Sequence, residues 1–484
     1  MVWNLILIPL GMAAVVFAVP SNRWRPWLLP LTCLGHLALV VVVLGQPSLL
    51  GQPSLISREH WLVLDPLAKV FLGLISSLFL LCTFYTAGYL SKEPERSNRV
   101  FCTCLLLSLS MMTLVILSHH LGLMWVAMEA TTLTMAPNLY FHRNPRSLEA
   151  TWKYLLICSV GIALALLGSF FLAYSTLHAG LEESTLFFDD LIRQAPTLSR
   201  PWMHAAFILL FVGYGTKMGL APMHTWLPDA HGEAPAPVSA LLSGALLPCA
   251  FLAILRIYHI CVAAGDAAFA RQIMLAIGLL SMAMAAVFMI RQRDFKRLLA
   301  YSSVEHMGIL VIGIAIGGWA TFAALLHVIN NGLTKASLFL SAGNLQSAFG
   351  SKQTENVCGA LRRLPLSGGL FLAGFLAITG SPPFGPFVSE FSILTAAFST
   401  GQYWTGSLYL LLLLVVFLGM GATVVGLVLG NPPETAGPAP FQESFWSGAP
   451  IVALMGLVLM LGLCLPAPLR EILQEAAVFL ETGR

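Results

Sequence analysis

Long apolar runs recur along almost the whole chain and are separated by short polar segments. A helix needs roughly 20 apolar residues to cross the hydrocarbon core of a bilayer, whereas a barrel strand needs about 9–11. The pattern therefore predicts an all-α polytopic membrane protein with about 14 crossings. The apolar runs lie near residues 2–20, 27–46, 66–90, 100–118, 121–141, 154–178, 203–220, 237–260, 272–290, 299–319, 320–348, 367–400, 404–430 and 449–467. Two of them, 320–348 and 367–400, are long enough that a different count is possible.

The composition supports the same class of protein. Hydrophobic residues make up 57% of the 484 residues and charged residues only 10%, against about 25% charged in soluble domains. So few charges cannot cover a water-exposed surface, which excludes a soluble enzyme, a nucleic-acid-binding protein and a disordered chain. The nine cysteines form no Cys-x-x-Cys motif, and no phosphate-binding loop is present. We therefore expect no cofactor and no redox centre in this chain.

The distribution of lysine and arginine predicts the orientation of the chain. Fifteen of the 25 lie in odd-numbered loops, and seven lie in even-numbered loops or at the ends. Because cytoplasmic loops are enriched in these residues, we expect the odd loops in the cytoplasm and both termini outside, in a bacterial plasma membrane. No basic segment precedes the first run, so we expect that run to persist as a helix rather than be cleaved as a signal peptide.

Ionisable side chains inside the apolar runs are the candidate functional residues. A charge near the centre of a bilayer is costly, so each one is a functional hypothesis by default. The lysines that fit neither side of the membrane, and their acidic and imidazole counterparts, are Lys69, Lys217, Lys335, Asp65, Glu129, Glu305, His306, His327 and Glu390. Asp65 and Lys69 open the third run, and for them a position at a helix end is an equally good interpretation.

Two of the apolar runs are interrupted by proline and glycine. GYGTKMGLAPMHTWLPDAH ends one helix near Pro222, one turn after Lys217, and ITGSPPFGPFVSEFSIL breaks another at residues 381–386, just before Glu390. Interrupted helices at corresponding places in two halves of a transporter indicate an inverted repeat. We therefore predict broken helices 7 and 12 within two inverted five-helix repeats. The predicted division is residues 1–98 (helices 1–3), 99–260 (helices 4–8), 261–430 (helices 9–13) and 431–484 (helix 14 and an amphipathic tail).

One polar cluster after the first interruption invites a metal-site hypothesis. It consists of His224, Asp229, His231 and Glu233. These residues are not at the i, i+4 spacing that places ligands on one helix face, and prolines intervene. We therefore predict no metal there. The C-terminal segment PLREILQEAAVFLETGR is amphipathic and is expected to form an interfacial helix.

Several separated motifs resemble the antiporter-like membrane subunits shared by respiratory complex I, Mrp antiporters and membrane-bound hydrogenases. KMGLAPMHTWLPDAHGEAPAPVSALLSGALL (217–247) is close to that family's lysine-plus-HxWLPDAH signature, and RDFKRLLAYSSVEHMG (293–308) matches its helix-ten stretch. HVINNGLTKASLFLSAG (327–343) and PPFGPFVSEF (382–391) match helices eleven and twelve. The resemblance covers roughly residues 60–430, and the Val-Glu-His triplet at 304–306 is most similar to the hydrogenase-4 component F branch.

The resemblance implies a line of proton-carrying residues through the membrane centre. It places the family's helix-five glutamate on Glu129, which would form an ion pair with Lys217. The rest of the implied line is His306 with its neighbour Glu305, then His327 and Lys335, and finally Glu390 as the terminal group. Histidine suits the middle of such a line because its unperturbed pKa of about 6.5 allows it to accept and donate protons near neutral pH.

Two positions depart from the family pattern. Pro248 stands where complex I subunits carry a helix-eight lysine, and Asn331 stands where they carry a helix-eleven histidine. Either a water wire, His306 or Glu305 bridges the gap at Pro248, or the pathway is incomplete.

The expected function is a proton-translocating, antiporter-like subunit of a multi-subunit membrane oxidoreductase of the hydrogenase-4, formate hydrogenlyase or complex I type. Its expected partners are other membrane subunits, the lipid bilayer and a peripheral electron-transfer module with NiFe-hydrogenase-like or iron–sulfur subunits. No binding to nucleic acid is expected. Three alternatives stay open. They are an Mrp-like sodium/proton antiporter subunit, a membrane subunit that energises inorganic-carbon uptake, and a scaffold that has lost transport.

Overall fold

The computed structural model describes residues 2–45, 61–92, 95–178, 185–431 and 441–482. Within these ranges the regular structure is helical, and strand-like pairing is limited to isolated bridges such as Leu62 with Ser118. The helices are α1 (Val2–Ala18), α2 (Leu28–Leu44), α3 (Pro66–Leu90), α4 (Arg99–Leu117), α5 (Leu121–Leu139), α6 (Pro145–His178), α7 (Phe188–Gln194), α8 (Arg200–Met218), α9 (Trp226–Glu233), α10 (Ala236–Leu241), α11 (Leu247–Ala263), α12 (Ala267–Met289), α13 (Phe295–Ile316), α14 (Trp319–Phe349), α15 (Ala360–Arg363), α16 (Pro365–Ile378), α17 (Gly385–Ser399), α18 (Tyr403–Leu429), α19 (Phe445–Leu463) and α20 (Ala467–Thr482).

Ten helical segments of the described chain are long and apolar enough to cross a membrane. The other predicted runs also fall on helices, but α1 and α16 are shorter than a full crossing, and α5, α14 and α17 are not among the ten. The all-α multi-pass class predicted from the sequence is thus confirmed. The count of 14 crossings and the inverted repeats stay predictions.

The first interruption lies between α8 and α9. α8 ends at Met218, and Gly219 adopts a left-handed backbone with φ of 83°, which terminates the helix. A 3₁₀ turn, Met223–Thr225, then leads into α9. The indole N–H of Trp226 donates to the carbonyl of Thr216 at 2.9 Å, so a backbone acceptor next to the break is satisfied inside the bundle.

The second interruption lies between α16 and α17. α16 ends at Ile378, and α17 begins at Gly385, so the break lies slightly earlier than the sequence suggested, and Pro386 falls in the first turn of α17. The side-chain amide of Asn330 on α14 donates to the carbonyl of Gly385 at 2.8 Å. A Cβ atom at residue 385 would overlap that amide, so the close approach requires glycine.

The helices with the most polar residues lie in the centre of the bundle. The α10–α11 segment and α13 are entirely buried within the most apolar window of each. α14 is also buried from Ala320 to Leu345, although it carries histidine, asparagine and lysine side chains. An all-round buried helix is typical of a bundle interior, and here it brings the candidate residues together away from lipid.

The C-terminal helix α20 packs on the protein. Its residues Leu473, Ala476 and Leu480 are buried, and Glu475 forms an ion pair with Lys69 at 2.9 Å. Glu481 binds Arg271 at 2.7 Å. The predicted amphipathic helix exists, but its apolar face contacts other helices of the same chain.

Asp65, at the start of α3, also has a structural partner. Its carboxylate caps α3 by accepting from the amide of Ala68 at 2.6 Å, and it binds Arg256 at 2.8 Å. Together with the Lys69–Glu475 pair, this favours the helix-end interpretation of Asp65 and Lys69.

Candidate functional site

The first group of candidate residues surrounds the end of α8. Lys217 lies in the last turn of α8, and its side chain is fully buried. Its ammonium donates to the hydroxyl of Thr132 at 2.5 Å and to the hydroxyl of Tyr154 at 3.1 Å. Both acceptors are neutral, so a buried cation is solvated here by hydroxyl groups from α5 and α6.

Glu129 lies one turn before Thr132 on α5. Its carboxylate accepts from the hydroxyl of Ser159 at 2.6 Å and from that of Thr132 at 3.2 Å. Thr132 therefore accepts from Lys217 and donates to Glu129 at the same time, which a hydroxyl can do. The resemblance implied a direct ion pair, whereas the structure joins the two charges through one hydroxyl group.

The second group lies where α13, α14 and α17 meet. Nδ1 of His306 is 3.0 Å from Nε2 of His327, and Nδ1 of His327 is 2.9 Å from the hydroxyl of Ser389. The carboxylates of Glu390 and Glu305 lie 3.8 Å and 3.9 Å from the ring nitrogens of His306. All five side chains are buried. A hydrogen-bonded pair of imidazoles, with one carboxylate near each ring nitrogen of His306, thus lies in a region without direct solvent contact.

Lys335 approaches the second group from another face of α14. Its ammonium donates to the backbone carbonyl of Leu299 at 3.1 Å. It also lies close enough to Glu305, His306 and His327 to interact with each of them electrostatically. No hydrogen bond or ion pair in the described part of the chain joins the Glu129–Lys217 group directly to this second group.

The segment around Pro248 packs against α8 and α14, the helices that carry Lys217 and Lys335. Pro248 is at the start of α11, directly after a π turn formed by Leu242–Leu246. Within that turn the hydroxyl of Ser243 is 2.8 Å from the hydroxyl of Ser303 on α13. Ser303 in turn donates to the same Leu299 carbonyl that Lys335 binds. A pair of hydrogen-bonded serines thus lies one turn before the position at which the family pattern has its central lysine.

Several residues in contact with these groups were missed by the sequence analysis. They are Thr132, Tyr154, Ser159, Asn330 and Ser389. Tyr409 on α18 is a further one, because its buried hydroxyl has no partner among the described residues and interacts electrostatically with Glu390. For Thr132, Asn330 and Ser389 the available signal was a position one turn from, or next to, a candidate residue, whereas Tyr154, Ser159 and Tyr409 carried no such signal.

Three of the four residues of the metal-site hypothesis have separate partners, and the ring of the fourth, His224, lies beside two aromatic rings. Asp229 binds Lys153 at 2.8 Å and Arg297 at 2.9 Å, and Glu233 binds Lys352 at 2.6 Å. The ring of His231 stacks on Phe339 with a centroid distance of 4.6 Å. The acidic residues thus serve ion pairs at the edge of a polar cavity of about 550 Å³.

Among the described residues, one set of side chains has ligand atoms near enough to one another to hold a cation. Ligand atoms of His306, His327 and Glu390 lie within 4.8 Å of one another. Two of these groups already share a hydrogen bond, and the neighbouring ammonium of Lys335 opposes a further positive charge. Proton transfer among groups in contact needs no ligand from outside, and it is the chemistry that the arrangement favours.

The fold and this double group of buried ionisable residues define a class of ion-translocating helical membrane protein. The profile of the family described as NADH:quinone oxidoreductase/Mrp antiporter, TM, matches residues 118–418. The chain therefore belongs to that family, and the recognition of the family from the sequence motifs is confirmed.

The relatives found by comparison are consistent with that membership. The chain is 35% identical to a hydrogenase-4 component F homolog from Methylacidiphilum infernorum over 429 residues, which cover 87% of this chain and 88% of the relative. The solved chains that share the fold include two subunits of membrane complexes. One belongs to the membrane-bound sulfane sulfur reductase, an archaeal respiratory membrane complex (TM-score 0.89, 21% identity, 100% and 98% coverage). The other belongs to the Mrp complex of Dietzia sp. (TM-score 0.87, 20% identity, 99% and 97% coverage).

Proposed function

We propose that this chain moves protons across a bacterial plasma membrane as the antiporter-like subunit of a multi-subunit oxidoreductase. The observation that carries the proposal is the pair of buried ionisable groups, one around Lys217 and one around His306, in the interior of a multi-pass helical bundle. Buried charges in such a position are expensive and mark ion pathways in membrane proteins. The family membership and the similarity to a hydrogenase-4 component F homolog support the same conclusion.

The first group would act as a switch with two positions. When Lys217 is charged, Thr132 accepts from it and directs its own proton to Glu129. If Lys217 releases a proton inward, its neutral amine gains a lone pair that can accept from the Thr132 hydroxyl, so this hydroxyl is free to rotate away from Glu129 and donate to Lys217 instead. Glu129, which is half-buried, then loses the hydrogen bond from Thr132 and becomes the group that reloads the switch with a proton.

The second group would carry the proton to the opposite side. Lys335 accepts a proton from the first group, and the Ser243–Ser303 pair is joined to Lys335 through the Leu299 carbonyl that both Ser303 and Lys335 bind. The His306–His327 hydrogen bond can relay a proton by exchanging donor and acceptor roles. Glu390 and Glu305 stand on either side of His306 as the groups that load and discharge it, and Glu390 exchanges with the outer side.

The energy for this transport has to come from partner chains. Moving one charge against 100 mV costs about 2.3 kcal/mol. We propose that other membrane subunits hold this chain and that a peripheral module with NiFe-hydrogenase-like or iron–sulfur subunits supplies the energy. The chain itself would carry out no redox chemistry.

Purification of the intact complex tests the proposed function. An affinity tag on this chain, mild detergent and mass spectrometry should recover an electron-transfer subunit along with further membrane subunits. The purified complex, reconstituted in liposomes, should acidify or alkalinise the lumen when its electron donor is added. Recovery of the chain without any electron-transfer subunit would contradict the proposal.

A sodium/proton antiporter subunit is the second candidate, because the family also includes Mrp antiporters. In that case small antiporter subunits should co-purify with the tagged chain. A sodium gradient alone should then move protons in liposomes. Insensitivity of proton movement to sodium, with a response to the electron donor, separates the first candidate from this one.

We further propose the finer topology expected from the sequence: 14 crossings, two inverted five-helix repeats at 99–260 and 261–430, and both termini on the outer side. The fourteen predicted runs all fall on helices or helix pairs, which supports the count. Alkaline phosphatase fused at the C-terminus should therefore be active, because that enzyme needs the oxidising outer compartment. A fusion after Arg293, in an odd-numbered loop, is the matched control and should be inactive. An inactive C-terminal fusion would overturn the even count.

A further inference from the structure

A row of buried polar side chains runs along one face of α14. Its members are Asn330, Thr334, Ser337, Ser341 and Asn344. Their spacing of four, three, four and three residues keeps them within an arc of about 80° on a helix of 3.6 residues per turn. Lys335 lies outside this arc, so the row is distinct from the face that carries the lysine.

One end of the row reaches the histidine pair. The amide of Asn330 donates to the hydroxyl of Ser389 at 3.2 Å. The same hydroxyl is 2.9 Å from Nδ1 of His327. The row is therefore connected through Ser389 to the second ionisable group, without passing through Lys217 or Lys335.

The other end of the row meets a network of hydrogen bonds between α3, α14, α16 and α19. The carboxamide oxygen of Asn344 accepts from the hydroxyl of Tyr85 at 2.9 Å. Its amide donates to the hydroxyl of Ser367 at 2.9 Å and to the carbonyl of Ser447 at 3.0 Å. Both the oxygen and the nitrogen of the Asn344 side chain are thus held in place by hydrogen bonds.

Directly beyond Asn344 a cavity of about 480 Å³ opens toward the surface. Asn344 and Tyr85 line it on the inside, and the exposed residues Lys92 and Ser347 line it on the outside. We expect this opening on the cytoplasmic side, because Lys92 lies in one of the odd-numbered loops that are enriched in lysine and arginine. A cavity of this size holds many water molecules, because one water takes up about 30 Å³ in the liquid.

Between the two ends, the hydroxyl of Ser337 is fully buried and has no protein partner among the described residues. Thr334 and Ser341 donate back to carbonyls of their own helix, the former to Asn330 at 2.7 Å and the latter to Ser337 at 2.8 Å. Their oxygen lone pairs remain available. A buried polar group normally has a partner, so the Ser337 hydroxyl points to a water-accessible position midway along the row.

From these observations we infer a second proton-uptake route, which leads from the Tyr85–Asn344 cavity along α14 to Ser389 and His327. The route would carry water and protons, because its lining consists of hydroxyl and amide groups. The only charged side chain of α14 between residues 330 and 344 is Lys335, which lies on another face of the helix. The route rests on the proposed function, which it extends. Protons could then reach the second ionisable group without first passing the Lys217 switch.

Thiol labelling tests whether the row is accessible to water. Ser337→Cys and Ser341→Cys place thiols in it, and Ala336→Cys and Ala342→Cys are matched controls at nearly the same depth on other faces of α14. A small water-soluble methanethiosulfonate is added to membrane fragments, and peptide mass spectrometry follows each site. Because apolar burial suppresses the reactive thiolate, we expect labelling in the row to be about tenfold faster than at the controls.

Native cysteines report folding in the same sample. Cys464 is exposed and should be labelled in every variant, whereas Cys249 is fully buried and should stay protected if the bundle is intact. Adding Asn344→Leu to Ser337→Cys should reduce labelling to the control rate, because leucine closes the inner wall of the cavity. Equal, slow labelling of all four positions in a bundle with protected Cys249 would overturn the route. Failure of the Lys217 switch would leave the labelling pattern unchanged, so the two proposals are tested separately.

Discussion

Replacing Lys217 with alanine is expected to abolish coupled proton translocation while the complex still assembles, and Glu129→Ala should have the same effect. Each substitution removes one end of the Glu129–Thr132–Lys217 connection. A positioned proton-transferring group contributes about 10²–10⁴-fold to the rate of its step, so translocation should fall below detection. A pH-sensitive dye in liposomes that contain the purified complex measures the effect during turnover.

Two further variants make this result specific. Lys69→Ala removes another buried lysine, which binds Glu475 on α20, and should retain translocation. Thr132→Val keeps the shape of the side chain and removes only the bridging hydroxyl. It should slow translocation if the hydroxyl relays the switch, and it should be neutral if Glu129 and Lys217 act by direct contact. Full translocation by Lys217→Ala would rule out the switch.

Glu390→Gln is expected to cripple proton exchange with the outer side. Glutamine preserves the size of the side chain at 3.8 Å from His306 but cannot release or take up a proton near neutral pH. The loss should again be about 10²–10⁴-fold for the step that this group serves. Proton flux driven by an imposed potassium diffusion potential, with the complex in liposomes, isolates this exchange from the electron-transfer reaction.

The controls for this residue separate its chemistry from its structure. Glu390→Asp retains an ionisable carboxyl group and should restore part of the exchange. Glu475→Gln removes a carboxylate of α20 that lies away from the histidine pair and should exchange at the normal rate. Wild-type exchange in Glu390→Gln would remove Glu390 from the pathway.

The positions of the helices and their interruptions could be predicted because they depend on local chemistry. Apolar length predicts where a helix crosses, and the glycine and prolines around residues 219–222 and 380–386 predict where it stops. The burial of Lys217, His306 and His327 followed from the same pattern, since a polar residue in such a run is stable only inside the bundle. The structure has all three side chains fully buried.

The connections between the charges could not be predicted from the sequence. Thr132, Ser159 and Ser389 look like ordinary membrane-helix residues, whose hydroxyls commonly donate to a carbonyl of their own helix. Whether a hydroxyl instead faces a lysine of another helix depends on the rotation of both helices about their axes, which the spacing of apolar residues defines too coarsely. For the same reason the resemblance implied a direct Glu129–Lys217 contact, and the structure inserts Thr132 between them.

The indole of Trp226, which fills the break after α8, has a kinetic consequence. A rigid aromatic ring that packs in a helix interruption and hydrogen-bonds to the preceding helix restricts bending at that point. We therefore expect the angle between α8 and α9 to stay fixed while Lys217 changes its charge. The adjustments left to the switch are rotations of a threonine hydroxyl and a lysine side chain, and rotamer changes take picoseconds to nanoseconds, against microseconds to milliseconds for collective helix movements. The rate of turnover would then be limited by the partner chains rather than by conformational changes in this chain.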